Sequence, residues 1–296
     1  MNGVISLLKP PGMSSQAAVS RIRRLCGGVR AGHAGTLDPE AAGVLPVMLG
    51  RATKLSDYLM HGSKEYIAEL RVGLQTDTLD SEGAVVAESP VRFSADKLRA
   101  VLPQFTGSIR QQVPAYSAVK VHGQPLYAAA RCGRIQPRPS RTVHIDSLEL
   151  LGGRDDRFLL RIVCRQGTYV RSLLSDLAAA LGTVGYTSFL LRARVGRFVL
   201  PDSCTLEEIE AGGPERFLTA AQDALEIERL SLPAHLYPIL DSGAAVDMAR
   251  VRGVRAAAGR DYAVLCRDVF FGVGRLEERG LVLKARVKLP DDAAAE

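Results

Sequence analysis

The sequence predicts an α/β (α+β) protein of two domains, residues 1–228 and 229–296. Three observations predict it. At 296 residues the chain is long enough to bury one large core and one small one. Up to about residue 225, alternating strand patterns are interleaved with short helical patterns bounded by Ser, Thr and Gly. From Leu232 the pattern changes to a short helix over 244–251 and strands near 261–267, 269–276 and 281–288, a small β-rich module.

In the first part, Lys9-Pro10-Pro11-Gly12-Met13-Ser14-Ser15 is a turn running into a helix capped by Ser14 or Ser15. Ala18, Val19, Ile22 and Leu25 form its apolar stripe, and Gly27-Gly28 ends it. The stretch Gly32–Val47 reads as an ordered loop rather than a helix or strand. Gly32, Gly35 and Gly43 give backbone freedom there beside the fixed φ of Pro39 and Pro46. Lys64–Gly73 alternates as a strand, with Tyr66, Ala68, Leu70 and Val72 on one side. Residues 94–106 read as a helix capped by Ser94, and Leu126–Arg131 as a short one stopped by Gly133. Strands follow at 142–151 and 157–165, the second with one face half exposed. A helix carrying Leu173, Leu174, Leu177 and Leu181 comes next, closed by Gly182. Thr205–Glu208 is a capping box, and a polar connector continues to about 225. Asp291–Glu296 reads as a frayed tail.

Composition excludes several classes. Charged residues at 24% and hydrophobic ones at 47% are ordinary for a soluble protein. No apolar run reaches transmembrane length, and Met1–Leu8 is too short for a signal peptide, so the expected location is cytoplasmic. Cys26, Cys132, Cys164, Cys204 and Cys266 are odd in number and widely spaced, which reads as reduced core thiols. The five histidines are scattered, no G-x-x-x-x-G-K loop occurs, and Gly272-Val273-Gly274 lacks the third glycine of a dinucleotide fingerprint. The expectation is an enzyme without metal, nucleotide or redox cofactor. Charge is unevenly distributed beneath a net of +6. Residues 1–37 hold Lys9, Arg21, Arg23, Arg24 and Arg30 and no acid. Residues 97–145 hold Lys97, Arg99, Arg110, Lys120, Arg131, Arg134, Arg138 and Arg141 and no acid. The 25 basic residues elsewhere face all 32 acidic ones, so the two blocks read as a footprint for a polyanion. Arg250, Arg252, Arg255 and Arg260 crowd the start of the second domain.

Asp38 is the first acid in the chain, and it follows the first basic block. His33 is five residues before it, and Leu37 and Val44-Leu45-Pro46-Val47 supply apolar walls. Two readings of these residues stand open: an Asx turn or helix cap before Pro39, the commoner role of an Asp-Pro pair, or a reactive carboxylate facing an anionic substrate. Tyr66 reads equally as core, and Arg171 as a partner for Asp176.

Longer strings bear on that choice. Gly32-His33-x-Gly35-x-Leu37-Asp38-Pro39, followed by Ala41-x-Gly43-x-Leu45-Pro46, closely resembles the catalytic motif of the tRNA pseudouridine synthase B (TruB) family. Further resemblances lie in Lys9-Pro10-x-Gly12-x-Ser14-Ser15, Lys64-x-Tyr66, Gly73-x-x-Thr76-Asp77-Thr78-x-Asp80, Gly167-Thr168-Tyr169-x-Arg171 and Leu190-x-Arg192-x-x-x-Gly196. Ala193 stands where Thr is commoner.

The resemblance implies a pseudouridine-synthase fold, with a mixed, largely antiparallel sheet and flanking helices, and a PUA-like RNA-binding module after it. It implies conversion of uridine 55 to pseudouridine in the T stem-loop of tRNA by base flipping, by a monomer. Asp38 would be the essential carboxylate, attacking ribose or base covalently or acting as a base at the sugar. Arg171 would pair with it. His33 would hold the disrupted loop, Tyr66, Tyr169 and Leu190 would line the base, and Lys9 would bind substrate. A non-catalytic RNA-binding or chaperone protein on the same fold is the alternative, against which Asp38, Tyr66 and Arg171 argue. A cofactor-free hydrolase using Asp38 and Glu40 is a third reading, weakened by the basic blocks.

Overall fold

Alternating burial along one segment after another places the strands of the computed structural model. It describes residues 1–117, 119–121, 123–132, 136–251 and 253–288, with only the backbone of Arg131 and Arg250. The chain opens with β1 (Gly3–Lys9), α1 (Ser15–Leu25), β2 (Ala31–His33), β3 (Ala42–Leu49), α2 (Ser56–His61), β4 (Lys64–Val72), β5 (Leu74–Thr76) and β6 (Val85–Glu88). It continues through α3 (Ala95–Val101), β7 (Gly107–Gln112), a small hairpin of β8 (Lys120–Val121) and β9 (Gln124–Pro125), and α4 (Leu126–Arg131). Then come β10 (Ser140–Arg154), β11 (Arg157–Cys164), α5 (Val170–Ala180), β12 (Gly185–Val195), β13 (Phe198–Val199), α6 (Leu206–Gly212) and β14 (Leu218–Thr219). The last part holds β15 (Arg229–Leu232), α7 (Tyr237–Ser242), β16 (Asp261–Cys266), β17 (Val269–Glu277) and β18 (Gly280–Arg286).

Ten of these strands form one mixed sheet in the order β14-β1-β3-β12-β4-β11-β10-β7, with β2 added to β3 and β13 to β12. Every pairing in it is antiparallel except β3 with β12. The alternation in β4 turns Tyr66, Ala68, Leu70 and Val72 toward a core shared with Phe158, Leu160 and Ile162 of β11 and with Leu173, Leu174 and Leu177 of α5. Each such side chain, fully buried, contributes about 1.5–3 kcal/mol. A second core lies under α1, where Ala18, Val19 and Ile22 meet Ile5, Leu7, Leu45 and Ile209. The remaining sheet, β15-β16-β17-β18, packs Ala263, Phe270, Val273 and Ala285 against Val4, Val44 and Met48 of the large one.

Three expectations are corrected. Gly32–Val47 is not loop throughout: Ala31–His33 and Ala42–Leu49 are strands, leaving only residues 34–41 irregular. The run 43–49 is buried on both faces, which suits a central strand. Gly43 has φ +117, and a Cβ there would lie 2.2 Å from the Arg192 carbonyl oxygen, so glycine is what lets β3 and β12 close. The helix placed at 244–251 lies earlier, at Tyr237–Ser242, where Gly243 in the left-handed region ends it. Val246 then bridges to Leu281, and only Met248–Arg250 forms a 3-10 turn. Finally, Cys132 is exposed at the end of α4, unlike the buried Cys164, Cys204 and Cys266. Ala118, His122, Gly133, Arg134, Arg252 and the Asp291–Glu296 tail lie outside the described residues.

Candidate active site

Loop 34–41 leaves β2 and returns through β3, at the one parallel junction of the large sheet. Asp38 sits in it with 34% of its side chain exposed, facing the first turn of α5. There Arg171, only 7% exposed, meets the carboxylate at two points: Nε to Oδ2 at 3.0 Å and Nη2 to Oδ1 at 3.1 Å. A guanidinium has five N–H donors in a fixed fork, and polar partners surround that of Arg171, three as hydrogen-bond acceptors and two carboxylate oxygens as ion-pair partners. Besides Asp38, these are the carbonyls of Tyr116 (3.0 Å) and Thr78 (2.8 Å) and Oδ2 of Asp80 (3.2 Å). Asp80 is fixed in turn, its Oδ1 accepting from Thr78 Oγ1 at 2.6 Å and from the Glu82 amide at 3.1 Å. The result is a rigid acid–base–acid row, carboxylate, guanidinium, carboxylate. Burial pushes the Asp38 carboxyl above its ordinary pKa, Arg171 pulls against that shift, and Asp80 adds to it. A carboxylate so placed is a stronger base and nucleophile than one in water, while its cation partner favours the ionised form.

The loop is held from three sides, by Ser15, Lys9 and Arg192, with Lys64 beside it. Ser14 caps α1, which frees Ser15, buried beside it, to accept from the Leu37 amide and donate to the Leu37 carbonyl, both at 2.8 Å. Lys9 is wholly buried and donates to the carbonyls of Pro10 (2.7 Å), Met13 (2.7 Å) and Pro39 (2.9 Å), using all three of its N–H groups. Burial lowers its pKa to about 8. Arg192 of β12 donates to the carbonyls of Val44 (2.8 Å), Thr36 (3.3 Å) and Gly35 (3.1 Å). Lys64, at the start of β4, donates to the carbonyls of Met60 (2.7 Å) and Gly62 (3.0 Å), and burial likewise takes it to about 8.

Tyr66 shares one apolar cluster with Leu37, and Leu190 packs against it. Burial raises the Tyr66 pKa, with the nearby Arg192 guanidinium opposing. His33, the last residue of β2, is lowered by burial and then by Arg192, and its buried Nδ1 has no partner among the described residues. Tyr169 immediately precedes α5. Its backbone is gripped by the buried Gln111 amide, which donates to Tyr169 O at 3.0 Å and accepts from Tyr169 N at 2.8 Å. The Arg141 guanidinium lies 5.2 Å from the Tyr169 ring centroid.

Of the residues expected from the sequence, Asp38 and Arg171 are thus in direct contact, while Tyr66 and Leu190 share a wall with Leu37. Lys9 touches the loop through Pro39, and Tyr169 makes no hydrogen bond to the Asp38–Arg171 pair. Arg192, Asp80, Ser15, Lys64 and Gln111 carried no role in the sequence. The readable signal was a basic residue inside an otherwise buried strand, at Arg192 and Lys64. Among the described residues no three His, Cys, Asp or Glu side chains converge to hold a metal.

A family model described as TruB family pseudouridylate synthase (N terminal domain) matches residues 23–170. The tRNA pseudouridine synthase B of Aromatoleum aromaticum is 40% identical over 97% of this chain and 92% of its own length. That of Stutzerimonas stutzeri is 38% identical over 97% and 95%. Among solved structures, a chain of a Cbf5-Nop10-Gar1 complex superposes with TM-score 0.74 at 27% identity, covering 97% of this chain and 84% of that one. A chain from an H/ACA RNP bound to a substrate RNA containing 2'-deoxyuridine gives the same TM-score at 23% identity, a likeness of fold. Identity at this level over nearly the whole length, together with the family match, means that the chain belongs to the TruB family of pseudouridylate synthases.

Proposed function

We propose that the protein converts uridine 55 in the T stem-loop of tRNA to pseudouridine, with Asp38 as the catalytic carboxylate. That it is a pseudouridine synthase acting on tRNA follows from its relatives. The observation that carries the assignment of Asp38 is its two-point pairing with a buried arginine that is itself held by two carbonyls and by Asp80.

Isomerisation breaks the bond from ribose C1′ to base N1, turns the base, and joins C1′ to C5. The proton leaves C5 and N1 gains one, so nothing is oxidised and no co-reactant is consumed. Asp38 engages the nucleoside as that bond breaks. Tyr66, in the wall beside Leu37 and Leu190, moves the proton. The target base is paired or stacked in a folded stem-loop and must be flipped out to reach a loop this confined. His33, with an unpartnered buried nitrogen, and Tyr169, with its ring beside Arg141, suit hydrogen bonding and stacking to the displaced bases. Lys9 acts through the loop, because its three donors are already engaged by carbonyls.

The basic residues of 97–145 lie along the phosphates. Residues 1–228 form the catalytic domain, and 229–296 a PUA-like module that adds affinity. The protein works as a monomer in the cytoplasm, without cofactor; among the described residues no helix is long and apolar enough to cross a membrane. Incubating the purified protein with a tRNA transcript and mapping pseudouridine base by base tests this. A single modification at position 55 is expected. Modification elsewhere, or none, contradicts the assignment.

A further inference from the structure

Arg192 is 1% exposed, the largest fully buried side chain among the described residues. A buried charge is costly unless paired, yet the hydrogen bonds of Arg192 go to three neutral carbonyls, those of Gly35, Thr36 and Val44. A neutral amide could serve some of those bonds, so they do not by themselves account for a full cation. Two other features do. The three carbonyls flank Asp38, and the Arg192 backbone pairs with Gly43, so one residue closes both ends of the loop. In the β4·β12 ladder Arg192 stands directly opposite Tyr66, and its charge opposes the rise that burial imposes on the Tyr66 phenol.

We infer that Arg192 is a positioning residue of the isomerisation: one guanidinium fixes the base of the Asp38 loop and donates to the Tyr66 hydroxyl, holding carboxylate and phenol in a single geometry. Because a guanidinium has donors only, the Tyr66 oxygen accepts from it, and the hydroxyl proton is left to point into the pocket. That proton passes to N1 of the detached base, and the phenolate left behind, stabilised by the cation, takes the proton that leaves C5, so the phenol is restored. The other titratable groups facing Tyr66 are Cys164, across β11, and Asp38. Both oppose a phenolate, which leaves Arg192 as the group that favours it. The inference rests on the reading of Tyr66 as the proton-transfer group.

The test is the single-turnover rate against pH, with the full-length protein at saturating enzyme on a tRNA transcript. The enzymes compared are wild type, Arg192→Gln, Arg192→Lys, Tyr66→Phe and the Arg192→Gln/Tyr66→Phe double variant. Tyr66→Phe is expected to bind tRNA normally and to lose about a hundredfold or more in rate. Arg192→Gln should show a comparable loss, with its alkaline limb displaced upward by about one pH unit or more. Arg192→Lys, which keeps a cation without the fork, should be slow with the limb in place. The limb should be absent from both enzymes that carry Tyr66→Phe. A purely packing role for Arg192 would lower the rate without moving the limb. An unshifted limb in Arg192→Gln beside a crippled Tyr66→Phe overturns this inference alone. A Tyr66→Phe enzyme within a few-fold of wild type overturns the reading of Tyr66, and this inference with it. If neither Arg192 variant folds, the residue is structural and the inference is overturned.

Discussion

Arg171 donates to Asp38 Oδ1 and to the carbonyls of Thr78 and Tyr116, and forms ion pairs with Asp38 Oδ2 and Asp80 Oδ2, in a site almost closed to water at the guanidinium. Lysine cannot copy that fork: it is a point charge with three donors. Arg171→Lys should therefore keep a positive charge beside Asp38 and still lose at least about a hundredfold in single-turnover rate. Arg171→Ala leaves Asp80 and the one-third-exposed Asp38 without their partner and should cost about 3 kcal/mol in a urea melt. An Arg171→Lys enzyme within a few-fold of wild type would mean that charge alone suffices. The pair itself was legible from the strings around Asp38 and Tyr169–Arg171, which left only Asp176 as a competing partner for the arginine. Arg192 was not legible to the same degree. Its acceptors are backbone carbonyls, which carry no side-chain signature, so the string Leu190-x-Arg192-x-x-x-Gly196 marked the residue without saying what it holds. Lys9 misled for the opposite reason, since Lys-Pro-Pro-Gly looks like a surface turn whereas the ammonium is buried against three carbonyls.

The Asp38 loop depends on the close approach of β3 to β12 and on the buried Lys9. Gly43→Ala puts a methyl 2.2 Å from the Arg192 carbonyl at a φ of +117, and should destabilise by at least about 2 kcal/mol. Gly107→Ala, at φ +83 with open space around it, should cost only about 1 kcal/mol. Equal losses in a denaturant titration would show that the approach is not tight.

Lys64 gives a pH signature. Its pKa falls from 10.5 to about 8 on folding, so between those values the unfolded chain binds the extra proton and stability rises with pH. Relative to Lys64→Met, wild type should gain stability as pH rises from about 8 to about 10.5, with no change in the difference below about pH 7. A flat difference across that window would mean that the amine is solvated in the native state. Most helices and the strands β4, β10, β11, β16, β17 and β18 were legible from caps and alternation, as at Ser94, Thr205 and β4, whereas β1, β7 and β12 carried no reading as strands. The strand β3 was not, because Gly43 and Pro46 signal loop locally, while the burial on both faces that overrides them is a property of the assembled sheet.

Across the whole molecule, charge decides where RNA lies. Arg110 and Arg138 are exposed and Arg141 is half-buried over Tyr169, all on the segment rich in basic residues. Replacing the three by Gln should flatten the logarithmic salt dependence of tRNA binding by about two to three units. An unchanged slope would place the segment away from phosphate. The small sheet packs on the large one through Phe270, Val273 and Ala285, and the Arg51 guanidinium donates to the Lys288 carbonyl at 2.7 Å, so it is docked rather than loosely tethered. That docking was beyond the sequence, since the contact residues are scattered apolar positions in both parts.

The central claim concerns one carboxylate in this frame, and Asp38→Asn tests it most directly. The amide keeps the size and shape of the side chain but is neither base nor nucleophile. Measured together on one tRNA transcript, binding should stay within a few-fold of wild type while single-turnover pseudouridine formation falls below detection. Pseudouridine formed at a rate within about tenfold of wild type would contradict the account.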